Sequence, residues 1–152
     1  MYFRGFKDRY SSVYRIRALI QNINIDSTII NFVIDTGSTQ TIIGVKDAIE
    51  LKLLSIKEET LELINNYNLP LEKTQTAIGS MNLLKLDNII LTFYLNELCF
   101  FAEHSEAIYI SNPVIKNEEE YKVINDIPSV LGINILKNYK IEFSNDTVLL
   151  ER

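Results

Sequence analysis

Residues 32–39 read Phe-Val-Ile-Asp-Thr-Gly-Ser-Thr, an apolar run that ends on the carboxylate of Asp35 and turns through Thr36, Gly37 and Ser38. A charged group delivered by a buried strand is costly unless it is paired or shares a proton. Two carboxylates a few ångströms apart cannot both ionise, so one keeps its proton while the other is charged. The charged one takes a proton from water, and the neutral one donates to a carbonyl oxygen. That is general acid–base hydrolysis of an amide with no covalent intermediate. The chain holds one Asp-Thr-Gly and no second Asp-Thr-Gly or Asp-Ser-Gly. A single copy builds the pair only across a two-fold axis, with Asp35 facing Asp35 of a second copy. The competing reading is an Asp-Thr-Gly turn that only shapes a hairpin.

The elements that must position Asp35 are mostly β. Residues 13–25 alternate β-branched and aromatic residues with Arg and Asn, as a half-buried strand does. Asp26-Ser27 supplies a turn, and 28–34 return as the strand that delivers Asp35. Residues 45–54 suit a short helix with Lys46 and Asp47 outside. Residues 58–64 have helix-forming composition, and 65–70 read as a loop. Strands are expected at 83–86 and 89–95, separated by a tight turn at Asp87-Asn88, and again at 98–102 and 107–110. Residues 111–127 read as a polar, acidic surface loop between Pro113 and Pro128. Residues 133–138 suit a short helix, and 144–147 the turn of a final hairpin. Residues 1–12 read as a loosely attached arm, and 13–152 as one domain without internal repeats.

Asp35-Thr36-Gly37-Ser38 behind Phe32-Val33-Ile34 resembles the active-site strand of the retropepsin-like aspartic proteases. Thr76-Ala77-Ile78-Gly79-Ser80-Met81 sits where the flap hairpin of that family would be. Val130-Leu131-Gly132-Ile133-Asn134-Ile135-Leu136 resembles the element beneath its catalytic loop, and 139–143 and 147–150 resemble its closing strands. The resemblance is nearest to the bacterial and archaeal single-domain members. It implies an all-β, closed acid-protease barrel-like domain with one or two short helices, paired as a two-fold homodimer. It implies Asp35 as the catalytic residue and a Thr36 hydroxyl bonded across the dimer axis. Gly37 and Ser38 would support the loop, and Val130, Leu131 and Gly132 would underlie it. Ile78, Gly79, Ser80 and Met81 would form a flap over an extended peptide. The Ser38 hydroxyl is expected to donate to the outer oxygen of Asp35, favouring its charged form and a more acidic activity window. Thr39, Ile42, Ile43, Ile78 and Met81 are expected to line the pocket.

At 152 residues and 47% hydrophobic, the chain suits one globular domain. No apolar stretch approaches a membrane span, and residues 1–7 lack the apolar core of a signal peptide. The single cysteine, Cys99, excludes an internal disulfide framework, suits a reducing compartment and reads as a core residue. A cytoplasmic location is expected. The net charge of −5 argues against a nucleic-acid partner. Arg4, Lys7, Arg9, Arg15 and Arg17 form a basic stretch, and Glu118, Glu119 and Glu120 an acidic one; both read as solvated faces. His104, flanked by Glu103 and Glu106, is the only histidine, so no metal or cofactor is expected. The function read from the residues and the resemblance is a homodimeric aspartic endopeptidase, whose partners are a second copy of itself and an extended peptide. The alternative is a non-catalytic dimerisation or peptide-binding module on the same fold.

Overall fold

The computed structural model describes residues 1–76, 79–95 and 100–152. Strands β1 (Tyr2–Lys7), β2 (Tyr14–Asn22) and β3 (Ile25–Ile34) are antiparallel neighbours. On β2 the residues Ile16, Ala18 and Ile20 point inward, and on β3 Ile30, Phe32 and Ile34 do the same. Arg17 and Asn31 alternate outward, as the period of two requires. The turn between β2 and β3 lies at Ile23-Asn24 rather than Asp26-Ser27, because the Asn22 side chain accepts from the backbone N–H of Asn24 at 2.7 Å. Beyond β3 come β4 (Ile42–Ile43), α1 (Val45–Glu50), β5 (Leu54–Lys57), β6 (Glu62–Asn65), β7 (Leu71–Thr76), β8 (Gly79–Tyr94) and β9 (Phe100–Ser111). The chain ends with α2 (Glu118–Asp126), β10 (Val130–Leu131), α3 (Ile133–Leu136), β11 (Lys140–Phe143) and β12 (Thr147–Glu151). Ten strands form one sheet in the order β11-β12-β1-β2-β3-β10-β4-β9-β8-β7, and β8 also pairs with β2.

Other segments depart from expectation as well. The stretch 1–12 is no loose arm: β1 pairs along β12, and Phe3 is 1% exposed in the core. The following turn is pinned by Asp8, whose carboxylate accepts from the N–H groups of Tyr10 and Ser11 and from Arg15 Nε. These bonds hold its carboxyl below the usual carboxylate range. The helix-forming composition of 58–64 yields instead to the β5–β6 hairpin, which closes through Leu61 at a φ of 57° and packs Leu63 on the core. Tertiary burial outweighs a helix propensity worth only tenths of a kcal/mol per residue (about 0.7 at most). The acidic stretch 111–127 contains α2: the Asn117 side chain caps the N–H of Glu120, and the three acids occupy the first turn, where the helix dipole favours them.

The break expected at Asp87-Asn88 is a reversal of face, not of direction. Leu84 and Leu86 point into the core before it, and Ile89, Leu91 and Phe93 after it. Asn88, at a φ of 55°, turns the backbone so that the inward positions switch from even to odd numbers while β8 continues in the same register with β9. β9 switches with it. Ile108 and Ile110 are inward on one side, and Glu103 on the other.

Glu103 is thereby carried into the interior. Its carboxylate accepts from Asn138 Nδ2 at 2.8 Å and from the Tyr139 hydroxyl at 2.9 Å, and it lies 3.7 Å from Arg152 Nη1. Burial, reinforced by that bond to Glu103, pushes the Tyr139 hydroxyl well above its ordinary pKa. Arg152 also lies over the rings of Phe101 and Tyr139. The group ties the C-terminus and the segment after α3 to β9. Glu103→Ala leaves the buried Tyr139 hydroxyl without its acceptor and removes the partner of the exposed Asn138 and Arg152 side chains. Urea denaturation should show a loss of about 2–4 kcal/mol, and a smaller loss for Glu103→Gln.

Candidate active site

Asp35 sits at the exit of β3, where β10 is inserted between β3 and β4. β10 runs parallel to β3 (Val130↔Val33, Leu131↔Ile34) and antiparallel to β4 (Val130↔Ile42). The N–H of Asp35 donates to the Leu131 carbonyl at 3.1 Å, and that of Val33 to the Ser129 carbonyl at 2.9 Å. The loop 35–41 must therefore pass over the end of β10 to reach β4. Its first turn closes through the Ser38 N–H on the Asp35 carbonyl. The Gly37 N–H donates to Asp35 Oδ1 at 2.9 Å, and a Cβ on Gly37 would lie 3.2 Å from the same oxygen. The carboxylate is half-buried, with Thr36 and Gly37 exposed beside it.

The underside of the loop is fastened to α3. The N–H groups of Ile133 and Asn134 donate to the carbonyls of Ser38 and Thr39 at 2.8 and 3.2 Å. Gly132 has no room for a side chain: a Cβ there would lie 2.2 Å from the Gln40 carbonyl oxygen. Thr41, fully buried, accepts from the Gly132 N–H at 3.0 Å and donates to Asn134 Oδ1 at 2.8 Å. The roles of Thr41 and Asn134 were not legible in advance. The available signal was Asn134, a single polar side chain inside the apolar run 130–136, which must find a partner when buried; Thr41, at the end of the polar stretch 38–41, carries no such signal.

Ser38 departs from expectation. Its hydroxyl donates to the Gln40 carbonyl at 2.7 Å, not to Asp35, so it braces the loop internally and gives no argument for a more acidic window.

Above Asp35 lies a cavity of about 490 Å³. Its floor is Asp35 and Gly37–Gln40. One wall is Ile42 and Val130, cross-strand partners whose neighbours Ile43 and Leu131 face the core. Ile43 is fully buried and does not line the cavity, because alternation turns it the other way. The facing wall is Thr74, Met81, Leu83 and Ser111, which the β7–β8 and β8–β9 registers bring to one face. Gly79 and Ser80 open β8 just before Met81; Ile78, like Cys99, lies outside the described residues.

Ile127 and Pro128 complete the lining. They are held by a clasp that no local sequence motif announces. Ser129, 1% exposed, donates to the Asp47 carboxylate and accepts from the Gly44 N–H at 2.9 Å. Asp47, expected to face solvent, is thus turned inward. A Cβ on Gly44 would lie 2.7 Å from the Ile127 carbonyl oxygen, so the two segments touch through backbone. Thr39, Ile42 and Met81 line the cavity as expected of them.

No model of a known protein family matches the sequence, and no curated protein does. Among solved structures, the chain is similar to a retropepsin-like aspartic protease from Rickettsia conorii, with a TM-score of 0.58 at 15% identity. The match covers 99% of this chain and 98% of that one. The chain therefore has the fold of a retropepsin-like aspartic protease, matched along essentially its whole length.

Proposed function

We propose that this chain is an aspartic endopeptidase that works as a homodimer. The observation that carries the reading is Asp35 itself: a half-buried carboxylate in a braced loop, opening into an apolar-walled cavity within this fold. Two such loops related by a two-fold axis bring two Asp35 carboxylates together, and the exposed Thr36 hydroxyls then bond across the axis. A water between the carboxylates gives up a proton to the charged one and attacks the scissile carbonyl. The neutral one protonates the carbonyl oxygen. The return pairing of β8 on β2 closes the barrel that carries the loop, and the β7–β8 hairpin serves as the flap over an extended peptide. No helix among the described residues is long and apolar enough to cross a membrane. The single cysteine keeps a cytoplasmic site as our reading.

Asp35→Asn should lower hydrolysis of a general protein substrate at mildly acid to neutral pH by about a thousandfold or more. Sedimentation should show the same dimer. Full activity in the Asn variant ends the proposal, and a dimer without any hydrolysis leaves the binding-module alternative. Gly132→Ala should destabilise the domain by about 3 kcal/mol by thermal or urea unfolding, because the Gln40 carbonyl must move. The displaced loop should cut activity as well. Ser129→Ala and Asp47→Ala should free the Ile127-Pro128 wall. KM should rise about tenfold with kcat within about twofold, while Asp47→Asn, which keeps an acceptor, should change less.

A further inference from the structure

The outer face of β1 and β2 carries a second cavity, lined by Phe3, Arg4, Phe6, Arg17, Phe93 and Tyr94 together with apolar residues of β2 and Ile29 of β3. β1 and β2 pair only at Phe6↔Arg15 and Lys7↔Tyr14. Continuing that register would set Arg4 directly opposite Arg17. Like charges at facing cross-strand positions destabilise a pair, and the strands part at this point. β2 next gains a partner at Leu19↔Thr92 on β8. The gap is floored by the buried side chains of Phe3, Ile16, Ala18 and Phe93. Its volume is about 350 Å³, within the range of small-molecule sites.

The charge in this gap is one-sided. Among the described residues no carboxylate lines it. Arg15 has Asp8 at 3.1 Å, but among the described residues Arg17 has only a neutral partner, with its Nε donating to Asn31 Oδ1 at 3.2 Å and its guanidinium 5.5 Å from the centre of the Phe6 ring. That stack orients the guanidinium fork, the geometry that suits a carboxylate.

We propose that this gap binds an amphipathic organic carboxylate, its head between Arg4 and Arg17 and its apolar body over Phe3, Ile16 and Phe93. The head group relieves the repulsion between the two arginines, and the body covers the apolar floor. The occupant is a single small molecule, because the gap closes within a few residues where β8 takes up β2.

The test is calorimetric titration of the full chain with octanoate, and with acetate and 1-octanol as its two halves. Octanoate should bind at one saturable site, and each half at least tenfold more weakly. The double variant Arg4→Gln/Arg17→Gln replaces two exposed residues outside the Asp35 machinery. It should weaken octanoate binding at least tenfold and abolish the rise in melting midpoint that octanoate gives the native chain. Absence of octanoate binding, equal affinity in the double variant, or octanol binding as well as octanoate would overturn the proposal. So would a glutamate-rich peptide that engages the same arginines more tightly than octanoate.

Discussion

The structure depends on the insertion of a two-residue strand between two others. β10 takes up the free edges of β3 and β4, so the chain leaving β3 cannot turn back directly. It must rise over β10, and Asp35 stands at the start of that rise. Gly132, immediately after β10, then lies against the Gln40 carbonyl so closely that only hydrogen fits. The half-buried position of Asp35, the bracing of Ser38 and Thr39 by α3 and the buried Thr41–Asn134 bond all follow from this crossing. A backbone held from both sides keeps the Asp35 carboxylate in place without relying on side-chain packing alone.

The second constraint is the change of face along β8. A strand of uniform alternation could serve one buried surface. Below Asn88, β8 gives Leu84 and Leu86 to the core while Met81 and Leu83 face the Asp35 cavity. Above it, Ile89, Leu91 and Phe93 fill the core and Ile20 of β2 lies beside Leu91. One left-handed residue lets a single strand wall the cleft and tie back to β2. Asparagine tolerates that conformation better than most side chains. The same switch places Glu103 inside, where Tyr139, Asn138 and Arg152 supply its donors. A buried carboxylate so surrounded links the C-terminal segment to the hairpin that carries the cleft wall.

What was legible in the sequence had local causes. The β2–β3 hairpin showed in its alternation, Asp35 in its apolar approach and tight turn, and α3 and the final hairpin in their own short-range chemistry. Misreadings arose where a local signal had a distant competitor. Residues 58–64 look helical but pair as β6 with β5, and Asp87-Asn88 looks like a turn but is held straight by β9. The acidic run Glu118–Glu119–Glu120 looks like a loop, yet its charge falls at the one helix end that welcomes it. Residues 1–12 look detached because their partner, β12, lies at the other end of the chain.

The sequence by itself determined that one carboxylate would stand at the end of a buried strand, in a glycine turn, on a mostly β chain with a single such motif. Period-two burial and turn chemistry act within a few residues, so they can be read in order along the chain. Only the tertiary structure decided what surrounds that carboxylate. Ser38 turned to Gln40 rather than to Asp35, and Asp47 turned inward to Ser129. Ile127 and Pro128 became cleft wall, and Arg4 and Arg17 came to line one gap. Each depends on residues brought together from distant parts of the chain or on the path of a loop. Hydrogen-bond partners of that kind are set by packing, which no local pattern encodes.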